Sequence, residues 1–184
     1  MPVITRYPTS NTVVTTGWTN PTNAYVAEGS PAYATAAPSK STQITSSFGG
    51  FDFASVLGAG DTINSVTLEI RYKYSTAAST NYTLSMRPYV GSTILGTTWS
   101  TTLSPTTDTS GTSSQTLVTR TDLRDATFNV RVGCARNTTN TNSTCSMDYV
   151  RVVVDYTAGV APTAVANLAG GAGESGQVPA NYVF

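Results

Sequence analysis

Val66-Thr67-Leu68-Glu69-Ile70-Arg71-Tyr72-Lys73-Tyr74 alternates apolar and polar side chains without a break. Successive residues of a strand point to opposite faces, so Val66, Leu68, Ile70, Tyr72 and Tyr74 share a core face while Thr67, Glu69, Arg71 and Lys73 share a water face. A helix would scatter the same residues around its circumference. Tyr82-Thr83-Leu84-Ser85-Met86-Arg87 repeats the alternation up to Pro88, which donates nothing to a ladder and so ends the strand or marks an edge. Phe128-Asn129-Val130-Arg131-Val132 is a third such run. A fourth, Tyr149-Val150-Arg151-Val152-Val153-Val154-Asp155-Tyr156, is the longest apolar run and reads as a central strand.

Outward from these four, weaker strands are expected near residues 32–35, 42–44, 94–99 and 115–118. Short strands separated by turn residues such as Gly58-Ala59-Gly60-Asp61 are the pattern of a sandwich or barrel. Helical periodicity is absent apart from one turn at Asp122-Leu123-Arg124-Asp125. The expected fold is all-β, an antiparallel, jelly-roll-like β-sandwich. It occupies residues 1–157, with 1–9 as a lead-in, and is followed by an extended C-terminal tail over 158–184. That tail is rich in Ala, Gly and Pro and ends in Tyr182, Val183 and Phe184. Too little of it is apolar to build a core of its own. It is either a loose terminus or an arm that lies on a neighbouring subunit, the closing residues acting as the anchor.

Composition points the same way. Thr and Ser take 54 of the 184 positions, and charged residues only 11%. Threonine suits a strand through its β-branch and keeps an outward face wet without charge. Ten basic and ten acidic residues cancel, so the basic footprint of a nucleic-acid binder is missing. No run approaches the roughly 20 apolar residues of a membrane helix. The start, Met1-Pro2-Val3-Ile4-Thr5-Arg6, shows no secretory signal, so release by cell lysis is the expected route out of a cell.

The chain contains no histidine, which removes Ser-His-Asp and Cys-His catalysis, the usual zinc sites and the commonest general base. The Asp122 and Asp125 pair reads as helix-turn capping rather than an acid–base couple, and Asp61 and Asp108 as loop residues. Dinucleotide, P-loop and EF-hand spacings do not occur. The expectation is a protein that is not an enzyme and takes no metal or cofactor.

Cys134 and Cys145 flank a short segment read as the loop of a hairpin. Strand parity sets them on opposite sides of a sheet if the apolar faces align, and a bulge would restore a disulfide. A Cys134–Cys145 disulfide and two free thiols both stand. Asn81, Asn137 and Asn142 head Asn-X-Ser/Thr triplets, which a chain this rich in Thr and Ser produces by chance. Trp18 and Trp99 are candidate glycan-stacking or rim aromatics, with packing over open sandwich ends as the simpler reading.

One set of segments carries a resemblance: Gly17-Trp18-Thr19-Asn20-Pro21-Thr22-Asn23-Ala24, Gly60-Asp61-Thr62-Ile63-Asn64-Ser65-Val66, and Asp148-Tyr149-Val150-Arg151-Val152-Val153-Val154-Asp155-Tyr156. Over about residues 10–157 the chain resembles a β-sandwich module of structural proteins of tailed bacteriophages, particularly those of actinobacterial hosts, and of some bacterial surface proteins. The resemblance implies a virion component, a minor tail protein or head decoration protein. Such a protein is assembled in the bacterial cytoplasm and contacts other virion proteins and copies of itself. It transfers no catalytic residue. The alternative is a carbohydrate-binding or host-adhesion module directed at a surface glycan.

Overall fold

The computed structural model of the chain describes residues 2–26, 32–40, 42–76, 82–102, 104–137 and 143–159. Its strands are Val3–Arg6 (β1), Ser10–Val13 (β2), Ala34–Ala36 (β3), Gln43–Gly49 (β4), Thr62–Tyr74 (β5), Tyr82–Val90 (β6), Thr93–Ile94 (β7), Trp99–Thr101 (β8), Thr109–Gln115 (β9), Phe128–Arg136 (β10) and Cys145–Thr157 (β11). One short helix, Arg120–Arg124 (α1), interrupts them. The strands form two antiparallel sheets face to face. One runs β1-β11-β5-β9, with β3 also on β11; the other runs β2-β4-β10-β6-β7, with β8 also on β6. The expected sandwich is the observed fold.

The alternating segment becomes β5, and its five apolar side chains are buried, as the parity requires. β11 is central, paired with β5 on one side and with β1 and β3 on the other. Residues expected as a lead-in therefore include a sheet strand: Val3 to Arg6 pair with Asp155 to Val152. Pro88 does not end β6. It sits where the outer flank of β6 passes from β8, opposite Leu84 to Met86, to β7, opposite Tyr89 and Val90. Its carbonyl faces that flank and accepts from Leu95 N, so the missing N–H falls at a break between edge partners.

The expected hairpin between the cysteine-bearing strands does not form. β10 pairs with β4 and β6, β11 pairs with β5, and the connection crosses from one sheet to the other. Periodicity shows which face of a strand is buried but not which strand lies beside it. A bulge between Met147 and Tyr149 shifts the parity of β11, and so Cys145, Met147, Val150, Val152 and Val154 all reach the core.

Aromatic groups close both ends of the interior. Phe51, Phe53 and Phe128 meet with ring centroids 5.8–6.3 Å apart, beneath buried Leu123 of α1. Tyr74 packs against Tyr72 and Tyr82 elsewhere, at 6.1 and 5.4 Å. The one helical turn expected at 122–125 is α1, started by a capping box in which the Thr119 hydroxyl accepts from Asp122 N and the Asp122 carboxylate accepts from Thr119 N.

Candidate functional site

The outward faces of the two sheets differ in chemistry. On β4, β10 and β6 the outward residues are Gln43, Thr45 and Ser47; Asn129, Arg131 and Gly133; and Ser85, Arg87 and Tyr89. In register, Arg131 lies between Arg87 and Ser47, and Gly133 between Ser85 and Thr45. Two concavities of about 460 and 240 Å³ open on this face and share Val14 and Arg131, so they form one groove. The lining is hydroxyl, amide and guanidinium, with exposed Val13 and Val14 along one side. No carboxylate lines either part.

Both arginines are held in place. The Arg131 guanidinium lies 4.0 Å from the centre of the Tyr89 ring and donates from Nη2 to Gly91 O at 3.4 Å. Arg87 donates from Nη2 to Gly96 O at 3.3 Å. The Nε of each is shielded from solvent and has no hydrogen-bond partner. Beneath them, Gly133 leaves room for neighbouring side chains. A Cβ there would stand 2.5 Å from Gln43 Nε2, 3.1 Å from Ser85 Oγ and 3.3 Å from Thr45 Oγ1. Asn129 is fully engaged: its Oδ1 accepts from Ser47 Oγ, and its Nδ2 donates to Gly91 O and Thr127 O.

The other outward face gathers acids and bases that neutralise one another. Asp108 meets Lys73 at 3.6 Å and Arg71 at 3.8 Å, Arg71 also meets buried Asp148 at 3.8 Å, and Arg151 pairs with Glu69. Tyr33 joins this cluster by donating to Asp108 and accepting from Lys73 Nζ, and these contacts, the Tyr33 hydroxyl first, hold the Lys73 pKa above its ordinary value. Arg151 is further fixed by the Tyr7 hydroxyl and the face of Tyr149. Glu69, Asp108 and Asp148 each face a cation, an arrangement that ties strands together.

Trp18 is buried, 4% exposed, with its Nε1–H donated to Val132 O of β10 at 3.1 Å and its backbone N–H to Ser46 Oγ at 3.2 Å. No ring face is left for a sugar. Trp99 is half-buried. Its ring lies over Gly111 of β9, where a Cβ would fall 2.3 Å from Cζ2, and meets Tyr72 edge-on at 6.1 Å. It therefore bridges the two sheets at their open side. The two tryptophans are not near each other in role: one locks the interior and one closes an edge.

Cys134 and Cys145 are both fully buried and free. They face each other from opposite sheets beside Tyr74, whose hydroxyl is 3.9 Å from Cys134 Sγ. Burial first, then the neighbouring Cys134 thiol, push Cys145 well above the ordinary thiol range, and burial raises Tyr74 likewise. Asp61 accepts from Gly58 N at 2.7 Å and from Gly159 N at 2.8 Å. The Gly159 amide first, and then that of Gly58, hold its carboxyl below the ordinary value. Asp125 accepts from the hydroxyl and N–H of Thr127, which lower its pKa in the same way. Tyr182, Val183, Phe184, Asn81 and Asn142 lie outside the described residues. Among the described residues, no three His, Cys, Asp or Glu side chains group as a metal site, and no helix is long and apolar enough to cross a membrane.

No protein-family model matches the chain, and no curated protein does. Among solved structures it is similar to an arabinose-bound α-L-arabinofuranosidase at 10% identity and a TM-score of 0.46, over 82% of this chain but 23% of that one. It is also similar to a cyclase from Fischerella sp. TAU at 16% identity and a TM-score of 0.40, over 83% of this chain and 84% of that one. Likenesses this distant carry no argument about activity.

Sequence reasoning missed the groove. Arg87 and Arg131 appear in it only as polar positions of two separate strands, and it is the β6–β10 register that brings them side by side.

Proposed function

We propose that this chain is a non-enzymatic structural component of a tailed-phage virion, a minor tail protein or head decoration protein. It is built in the bacterial cytoplasm, released by lysis, and held to copies of itself or to other virion proteins, with residues 158–184 as the assembly arm. The observation that supports this reading is the use to which the residues that carry the resemblance are put. Trp18 locks onto β10, Pro21–Ala24 makes a 3-10 turn, Asp61 ties the end of β11 to the turn before β5, and Asp148 to Tyr156 are β11 itself. Those residues hold backbone to backbone, the service expected of a building block. Light scattering on the full chain and on a version ending at Gly159 tests it. A discrete oligomer that falls to monomer on truncation is expected; a full chain that stays monomeric and binds no particle protein would overturn it.

A second reading, a glycan-binding host-adhesion module, is favoured by one observation: a groove lined by hydroxyl, amide and guanidinium groups, with no carboxylate, on the outer face of the six-stranded sheet. The two readings are compatible in a particle that must grip a cell surface.

A further inference from the structure

We infer that this groove binds an acidic glycan, with Arg87 and Arg131 together holding one carboxylate or phosphate oxyanion of the sugar chain. The inference rests on the glycan-binding reading of the groove and is independent of the virion reading.

Arg131 and Arg87 are direct partners across two central strands. Like charges opposite one another destabilise a sheet, and a strand selected only for stability would carry an acid at one of the two positions. The ion pairs among the described residues lie on the other sheet and include neither arginine. Each guanidinium carries five N–H donors in a fixed fork, yet each meets a single carbonyl through Nη2, while both Nε donors are shielded and unpartnered. The Nη donors that these carbonyls leave unused, on two arginines at facing register positions, match the planar, multiply accepting edge of a carboxylate or phosphate. The Tyr89 ring under Arg131 fixes one fork in advance.

The surroundings select a sugar. Gln43, Thr45 and Ser85 converge over Gly133 and offer neutral donors and acceptors for hydroxyl groups, while Val13 and Val14 offer apolar surface to C–H faces. The larger concavity, about 460 Å³, is in the size range of small-ligand sites, and its continuation past Arg131 leaves room for a second residue of a polymer. A nucleic acid would call for a broader positive field than two arginines on a chain of zero net charge.

The test is calorimetric titration of the full chain with oligogalacturonate, a phosphorylated mannan oligosaccharide, neutral dextran and oligo-dT. One of the two acidic glycans is expected to bind, identifying the oxyanion, and 0.5 M salt should weaken it. Arg87→Gln and Arg131→Gln should each weaken binding about tenfold or more, the lower end for a charge-assisted hydrogen bond. Both variants should remain folded, because relief of the like-charge opposition offsets the loss of one long carbonyl hydrogen bond in each and of the Tyr89 contact in Arg131→Gln. Gly133→Ala keeps both arginines but fills the cradle, and should also weaken binding; Arg6→Gln, remote from the groove, should not. Dextran bound equally well by parent and arginine variants would overturn the acidic specificity and leave the glycan reading standing. Oligo-dT bound as tightly as the acidic glycan would overturn it as generic polyanion binding. No binding to any glycan would remove both the inference and the adhesion reading.

Discussion

Replacing Trp18 by Phe isolates what the most distinctive motif residue does. The substitution keeps an aromatic ring in a site that is 4% exposed but deletes the Nε1–H that Val132 O accepts at 3.1 Å. A buried polar group left without its partner costs about 1–3 kcal/mol. Loss of the second ring adds to this, so a total near the upper end, about 2–3 kcal/mol, is expected for W18F, against about 3–5 kcal/mol for W18A. At about 2–4 °C per kcal/mol for a chain of this size, W18F should melt about 4–12 °C below the parent. Trp99→Phe is the control, since that ring is half-buried and its indole N–H has no partner among the described residues; it should cost about 1 kcal/mol or less. Urea unfolding followed by far-ultraviolet circular dichroism measures both without using tryptophan as the reporter, and an unchanged slope would show that the unfolded state is unaffected. Equal losses for W18F and W99F would refute the assignment of Trp18 as a hydrogen-bonded lock.

Three further outcomes follow from other contacts. Gly111→Ala sets a Cβ 2.3 Å from Trp99 Cζ2 and should cost about 1–3 kcal/mol through displacement of the indole, most of it recovered when Trp99 is also made Ala; a double-mutant cycle in urea reads the coupling. Asp61 and Asp125 are held below their ordinary pKa of 3.8, so the stability they contribute is complete above that value and is lost as pH falls through their lower folded-state values. Urea midpoints should therefore drop on acidification below about pH 4, and less steeply in the D61N/D125N double variant. Both buried thiols should resist a thiol reagent at pH 8 in the native state and react fully in denaturant; an unmodified mass 2 Da short of the reduced chain would instead show a disulfide.

The parts of the fold legible in the sequence are those where apolar and polar residues alternate within a strand. β5 announces itself through five apolar residues on one face and β11 through its long apolar run, and Thr119 and Asp122 mark α1 through capping chemistry. β9 is hidden because Thr109 to Gln115 holds only Thr, Ser, Gly and Gln, its buried positions being Gly111 and Gln115. Gly111 makes sense only once Trp99 is seen to fill the space above it. The cysteines were opaque for another reason: a one-residue bulge near Asp148 changes the face of everything before it, and neither parity nor spacing reveals it. The groove depends on strand neighbours far apart in sequence. Arg87 and Arg131 become a pair through register alone, and Gly133 becomes a cradle only with Gln43 and Ser85 beside it. Local pattern encodes which residues are buried, while the partners that make a site are fixed by the tertiary fold.

The most direct test of the virion reading is fractionation of particles from lysed host cells that make this chain, with quantitative mass spectrometry across a density gradient. The reading predicts that the chain bands with intact particles at a fixed ratio to the major shell or tail protein and stays bound through a high-salt wash. Recovery of the chain solely in the soluble fraction, with none at the particle density, would contradict it.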